Sequence, residues 1–503
     1  MTAAADLVLR DGEVHALGDE TYDALAVRDG RVVQLANDYD AGFLVGTGTE
    51  VIDLDGRVVL PGFVDAHTHM ETVGQYGVHA DLRGASGPEE VTERLQARAA
   101  ETDDEWVLGY GYDESAWDAD DLHQSDLDAV SDDRPVAAIR EDMHTATVNG
   151  VVLAEYGDEL PDGDVLGDGR LVEEAVEVVY AATEPGPEET EELLRAAQRE
   201  ANERGVTCVH DMVRQSHAPR AFRELDLAGD LTVRVRLNYW RDHLDALIET
   251  GLRTNHGSGM VEVGGVKTYT DGSLGGHTAK LSEPYADAPD ETGKWVVDPE
   301  KLREFVARAD DAGLQVTAHA IGDEAIEAVL DAYEECADAG ASRHRVEHAE
   351  LASDDAIERM ADLGVVASMQ PNFLKWAGGE GLYEDRLGTE RREASNRFPA
   401  YREAGVPLAF GSDCMPLDPL LGVHYAVNAP AESQSLSVTE ALRAYTAGGA
   451  YAGFREDEQG TIEKDALADL VVLEESPWEQ PESIRDIDVA ATIVDGEVVY
   501  RAD

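Results

Sequence analysis

Cysteine, lysine and long apolar runs are all scarce in this chain, and each shortage removes a class of protein. Only three cysteines occur, Cys208, Cys336 and Cys414; they lie far apart, cannot build a disulfide framework and form no CxxC metal pattern. No apolar run approaches the roughly 18 residues that a membrane span needs. The opening stretch, Met1 to Arg10, has no basic segment followed by an apolar core, so no export signal is expected and a reducing cytoplasm is the expected compartment. Six lysines stand among 40 basic residues, against 105 acidic ones, and the formal net charge is −65. Such a surface repels nucleic acid and anionic lipid, so neither is an expected partner. The acids are spread along the whole chain, which makes the charge a property of the surface. At about 1 M salt the Debye length falls to roughly 3 Å. The composition therefore reads as adaptation to a salt-rich cytoplasm, with a specialised acidic interaction surface as the alternative. The charge describes environment and says nothing about chemistry.

What the chain does contain is periodic. An apolar fraction of 43% in 503 residues supports a large core, and the length suits a barrel of about 250 residues with additions. The first 60 residues alternate between Asp-Gly pairs at Asp11-Gly12, Asp29-Gly30 and Asp55-Gly56, a hairpin signature because both central residues take positive φ. The pattern returns at Ala468–Leu473 and Thr492–Tyr500. It predicts a small β-sandwich domain built from both termini, residues 1–60 with 455–503. Residues 61–454 then carry eight apolar, β-rich runs separated by helical stretches. The runs are Gly62–Met70, Val206–Met212, Leu231–Trp240, Val261–Leu274, Leu314–Gly322, His344–Leu351, Val365–Leu374 and Val406–Cys414. This is the pattern of a (β/α)₈ TIM barrel, an α/β fold. About 135 residues separate the first two runs, where a βα unit takes about 30. An insertion after the first barrel strand is therefore expected at about 81–204, best defined at Trp106–Asp113 and Pro135–Tyr156, and expected to roof the site.

Barrel active sites form at the C-terminal ends of the strands. The first run ends Asp65-Ala66-His67-Thr68-His69. Residues i and i+2 share a strand face, so both imidazoles can grip one metal. Alone the pair is weak, but Lys267 in the fourth run, His319 in the fifth, His348 in the sixth and Asp413 ending the eighth join it. A hydrogen-bonded core histidine, a capping aspartate, or a lysine lying outward against Asp271 would each explain one of these residues. Ionisable groups inside apolar strands are costly unless paired or metal-bound, and together the six read as a metal site.

These positions resemble the binuclear subtype of the amidohydrolase superfamily. The surrounding text is similar to amidohydrolase family 3, the N-substituted formamide deformylase-like group. It includes Lys267 followed by Asp271-Gly272-Ser273-Leu274-Gly275-Gly276-His277-Thr278-Ala279, Gly111-Tyr112-Asp113 with Trp117, His144 with Val148-Asn149, and Met369-Gln370-Pro371-Asn372-Phe373. Members more often carry Arg where His277 stands and Gly where Met143 stands. The resemblance implies two divalent metal ions, zinc foremost, with iron, manganese and cobalt as alternatives. It implies that His67, His69 and Asp413 hold one ion, that His319 and His348 hold the other, and that carboxylated Lys267 bridges them with a hydroxide. The implied activity is hydrolysis of carbon–nitrogen bonds other than peptide bonds in a small-molecule substrate, with Asp413 as general base and then acid. His144 is a candidate for polarising the carbonyl, or an ordinary surface histidine. Tyr112 and Trp117 are candidates for an apolar substrate pocket, or for insertion core, and His277 is a third substrate-binding candidate. Asp271 and Asp323 either orient ligands or cap loops. Two other readings compete: a mononuclear-type deaminase of an aminated heterocycle, against which Lys267 argues, and a non-catalytic barrel scaffold or regulator, against which the intact ligand set argues. Assembly into a homo-oligomer is left open.

Overall fold

The computed structural model describes residues 3–502 except 19, 115–116, 118–120, 142, 162–163, 173, 215 and 380. The chain forms two compact units, Met1–His69 with Ala201–Gln215 and Phe222–Asp503, and Met70–Glu200 with Ser216–Ala221.

The first unit holds the barrel. Its strands are Phe63–Thr68, Val206–Val213, Arg234–Trp240, Val261–Tyr269, Gln315–Ala320, Arg345–His348, Val366–Met369 and Leu408–Phe410, in that order around one sheet. Every pairing between successive strands is parallel. All eight lie on the runs expected from the sequence. They read as apolar runs because both faces of a parallel sheet are covered; Val206–Val213 has no exposed residue. The sheet is nearly closed. Across the seam, the Asp413 amide donates to His67 O at 2.7 Å. Gly411 permits that approach, since a Cβ there would lie 2.4 Å from His67 N. Intervening helices include Pro299–Asp311, Asp323–Glu334 and Asp354–Leu363. The last begins at Ser353, whose hydroxyl accepts from Ala356 N, and ends at left-handed Gly364.

Two further sheets use the chain ends. A six-stranded sheet runs Glu497–Arg501, Val489–Val494, Leu470–Leu473, Val58–Pro61, Glu13–His15, Thr21–Tyr22, so three C-terminal strands join three N-terminal ones where Leu470–Leu473 pairs with Val58–Pro61. Leu9, Leu25, Val59, Leu470 and Ile493 form a core between it and a four-stranded sheet, Arg31–Ala36, Ala24–Arg28, Leu7–Arg10, Glu50–Asp53. The Asp-Gly pairs resolve into two kinds. Asp29-Gly30, with φ 51° and 72°, closes a hairpin. Asp11-Gly12 and Asp55-Gly56 do not, because the strands flanking each belong to different sheets. There Leu7–Arg10 and Glu13–His15 run parallel to Glu50–Asp53 and Val58–Pro61. The hairpin expectation fails at these two turns because long-range parallel pairing takes the edges that a local hairpin would use. Gly56 N donates to Asp11 O at 2.7 Å and ties the two crossings together.

The second unit is built on a mixed sheet ordered Val165–Leu166, Arg170–Val172, Thr145–Val148, Val136–Arg140, Val107–Tyr112, Ala80–Asp81. Strand alternation sends Leu108, Tyr110, Ala137 and Ile139 to one core and Val107, Val136 and Ala138 to another. Gly111, at φ 93°, sits in a bulge that adds a residue and turns Tyr112 onto the second face. Among the described residues, no helix is long and apolar enough to cross a membrane.

Candidate metal centre

The six side chains on five barrel strands converge on one place. His67 Nε2 lies 3.4 Å from Lys267 Nζ and 3.5 Å from Asp413 Oδ1. His69 Nε2 is 3.3 Å from the same aspartate oxygen. The His67 and His348 rings are 5.1 Å apart, and those of His348 and His319 are 4.4 Å apart. Lys267 is 0% exposed. It does not lie outward against Asp271, whose carboxylate instead takes the backbone amides of Lys280, Ile321 and Gly322 at 2.8, 3.1 and 2.9 Å.

The outer nitrogens of three histidines decide where their lone pairs point. His67 Nδ1 donates to Glu347 Oε2 at 2.6 Å, His69 Nδ1 to Met212 O at 2.9 Å, and His319 Nε2 to Gly272 O at 3.0 Å. A neutral imidazole that donates from one nitrogen leaves a lone pair on the other. His67 Nε2, His69 Nε2 and His319 Nδ1 are therefore acceptors, and the last is buried with no hydrogen-bond partner. Burial, then the positive neighbours around each ring, holds His67, His319 and His348 well below the ordinary imidazole range. Burial also lowers Lys267 to about 8, with Glu347 and Asp413 opposing the shift. For Asp413, burial pushes upward but is outweighed by His67, His69 and Lys267, and the carboxyl falls to about 2. Bare nitrogen lone pairs, one carboxylate and an orphaned buried imidazole nitrogen fit a borderline divalent cation.

The backbone is strained at two of these positions. His348 and Ala349 have φ of 70° and 50°, and Asp413 and Cys414 have 52° and 57°. The left-handed region costs a non-glycine residue roughly 1–2 kcal/mol. Here it falls at the end of the Arg345–His348 strand and in the turn after Leu408–Phe410, where it re-aims His348 and Asp413, as strain at functional sites commonly does.

Three contributors went unflagged in the sequence. Glu347 and Arg345 are fully buried beneath His67, and Asp65 Oδ1 accepts from the amides of both His67 and Ser412 at 3.0 Å. Their signal was parity: Arg345 and Glu347 are opposite charges two apart on one strand, as His67 and His69 are two apart on another. His277 is half-buried, with Nε2 3.0 Å from Asp287 Oδ1. Asp323 accepts from Ser282 N at 2.9 Å, a loop tie. In the second unit, Tyr112 is buried with its hydroxyl 3.2 Å from Thr147 Oγ1, Trp117 Nε1 donates to Ala85 O at 2.7 Å, and His144 is exposed.

Asp310, Cys336 and His344 also bring potential ligand atoms within 4.8 Å of one another. There His344 Nδ1 accepts from Val316 N at 3.1 Å, so Nε2 carries the proton and donates to Asp310 Oδ1 at 3.1 Å. His344 therefore has no ring lone pair left for a metal, and it serves as a structural pin.

A parallel eight-stranded barrel with such a cluster at its C-terminal strand ends defines a metal-dependent hydrolase. The chain belongs to the amidohydrolase family, whose model matches residues 50–500. It is 31% identical over 539 residues to Protein LONG AFTER FAR-RED 3 of Arabidopsis thaliana, covering 99% of this chain and 92% of that protein. It is 25% identical over 543 residues to an N-substituted formamide deformylase of Arthrobacter pascens, covering 100% and 99%. A metal-dependent hydrolase from Pyrococcus furiosus shares the fold with a TM-score of 0.80 at 30% identity, over 94% of this chain and 99% of its own.

Proposed function

We propose that this hydrolase cleaves non-peptide amide bonds of small N-acyl or N-formyl amines, with two divalent ions, zinc foremost, and a carboxylated Lys267 between them. In this reading His67, His69 and Asp413 hold one ion, and His319 and His348 the other. The observation that carries it is the burial of Lys267 Nζ, 3.4 Å from His67 Nε2. An ammonium beside cations would be repelled, by roughly 4 kcal/mol for like charges about 4 Å apart at an effective dielectric of 20. Lowered to about 8, the lysine has a neutral amine fraction near neutral pH. That amine forms a bond to the carbon of CO₂ and releases one proton, leaving a carbamate whose two oxygens suit a bridge.

Bound ions would supply Lewis acidity that polarises the scissile carbonyl and acidifies a water. The protein's own work is proton traffic and orientation. Asp413, ionised and with Oδ1 3.5 Å from His67 Nε2 and 3.3 Å from His69 Nε2, accepts the proton of the attacking water and delivers it to the leaving nitrogen as the C–N bond breaks. The −65 charge supports a salt-rich cytoplasm as the working medium. Metal analysis combined with a hydrolysis screen of N-acyl and N-formyl amines in high salt tests the proposal. Two ions per chain, a mass gain of one CO₂ on Lys267 and turnover of an amide are expected. One ion with deamination of a heterocycle, or active two-ion enzyme with an unmodified lysine, would overturn it.

A further inference from the structure

Strand six reads Arg345-Val346-Glu347-His348, and alternation turns Arg345 and Glu347 into the barrel, where neither has any exposure. The Glu347 carboxylate has two partners. Oε2 accepts a hydrogen bond from His67 Nδ1 at 2.6 Å, and Oε1 lies 2.7 Å from Arg345 Nε in an ion pair. Arg345 Nη2 also donates to Oε2 at 3.1 Å. The guanidinium is itself fixed from outside, donating to His210 Nδ1 and Ser368 Oγ, each at 2.8 Å. A carboxylate this deep is tolerated only because a cation is built against it.

We infer that Glu347, anchored by Arg345, is a positioning residue that locks His67 as a donor through Nε2 and so sets how long the ion at His67, His69 and Asp413 stays bound. Paired with the Arg345 guanidinium, the Glu347 carboxylate accepts from Nδ1, so Nδ1 carries the proton of the neutral ring and Nε2 is left bare. Nε2 faces Lys267 Nζ and Asp413 Oδ1, the space where the ion would sit. His69 and His319 are oriented differently, by the neutral carbonyls of Met212 and Gly272. Charge-assisted hydrogen bonds are about twice as strong as neutral ones, so His67 is held and polarised more firmly than either. The inference rests on the ligand assignment proposed above, and it gives the two ion positions unequal support.

The test uses the full-length protein loaded with Zn²⁺, and separately with Co²⁺ as a spectroscopic probe. Arg345→Met/Glu347→Leu replaces the buried pair by apolar residues of similar volume, an exchange that often preserves folding. Glu347→Gln keeps an acceptor but not the charge, and is measured alongside in case the double variant does not fold. Ion release to a chromogenic chelator should become biphasic, with one ion leaving about 10–100-fold faster than in the wild type, and the cobalt absorption bands should shift. Glu347→Gln should fall between the wild type and the double variant. Unchanged release with an unchanged cobalt spectrum overturns the inference, as does equal acceleration of both ions, which is what general loosening would give. Wild-type stoichiometry, measured first, reports on the two-ion reading separately: a value other than two would overturn that reading, whereas normal stoichiometry with unaltered variant release would overturn only this one.

Discussion

The two ends of one barrel treat buried charge in opposite ways. At the N-terminal strand ends, Arg236 Nη1 meets Glu262 Oε2 at 2.6 Å and Arg455 reaches the same carboxylate. Arg234 meets Asp469 at 2.7 Å and Asp495 at 3.0 Å. Side-chain amides take up remaining capacity there, Gln459 on Asp469 and Asn255 on Arg236. At the C-terminal ends, four imidazoles, a lysine and one facing carboxylate crowd together with nitrogen lone pairs turned toward a common space. Polarity is present at both ends, and completeness separates them. Burying an ion costs several kcal/mol unless it is paired, so the end left incomplete by the protein's own groups is the one built for a cation.

The largest expected contrast is catalytic. Asp413→Asn should lower kcat by about 10²–10⁴-fold, the usual worth of a general acid–base, whereas Arg236→Met/Glu262→Leu at the other end should leave kcat/KM essentially unchanged. Steady-state kinetics decides; near-normal turnover by Asp413→Asn would place proton transfer on another group. Next in size, Glu262→Ala leaves Arg236 buried without its closest anion and should cost about 3–5 kcal/mol in denaturant unfolding. A loss near zero would show that the paired end is not a closed network.

Chelation should lower the melting temperature, because an ion at 100 times its Kd stabilises the folded state by about 2.7 kcal/mol. Calorimetry showing no change would mean that the C-terminal end is complete without metal. Lys267→Met should abolish activity yet stabilise the metal-free chain by roughly 1–3 kcal/mol, since a lysine lowered to about 8 penalises folding while it is charged. The sign follows from the shift: the gain is full below about pH 8 and disappears as pH rises toward 10.5, where the wild-type lysine is neutral in both states. Unfolding of the two metal-free proteins across that pH range checks it, and a gain that grows with pH would contradict it. The smallest effect concerns salt. From about 0.1 to 3 M KCl the melting temperature should rise as surface repulsion is screened, while the Arg236–Glu262 coupling in a double-mutant cycle stays nearly constant because buried pairs are poorly screened. Stability that is flat or falling with salt would remove the high-salt reading of the charge.

Much of this was legible in the sequence. Eight apolar runs located eight strands, because a parallel strand buried on both faces shows as a continuous apolar word. The six convergent side chains were legible for the complementary reason: ionisable residues ending such words have nowhere inexpensive to go. Arg345 and Glu347 were not, although they adjoin His348, since on a chain with 105 acidic residues an Arg–Glu pair looks like solvated surface until the barrel closes over it. The dipeptide Asp55-Gly56 sets its own positive φ values, 52° and 85°, but cannot say whether its flanking strands pair with each other or with partners elsewhere. The left-handed turns at His348 and Asp413 have no glycine to announce them. By itself, then, the sequence determined the chain's net charge, its fold class and the chemical types of the side chains gathered at its C-terminal strand ends, all of which depend on composition and local period. Only the tertiary structure decided which imidazole nitrogen is bare, because that depends on the acceptor behind each ring. For His69 the acceptor is Met212 O, 143 residues away, and for His67 it is the Glu347 carboxylate, 280 residues away.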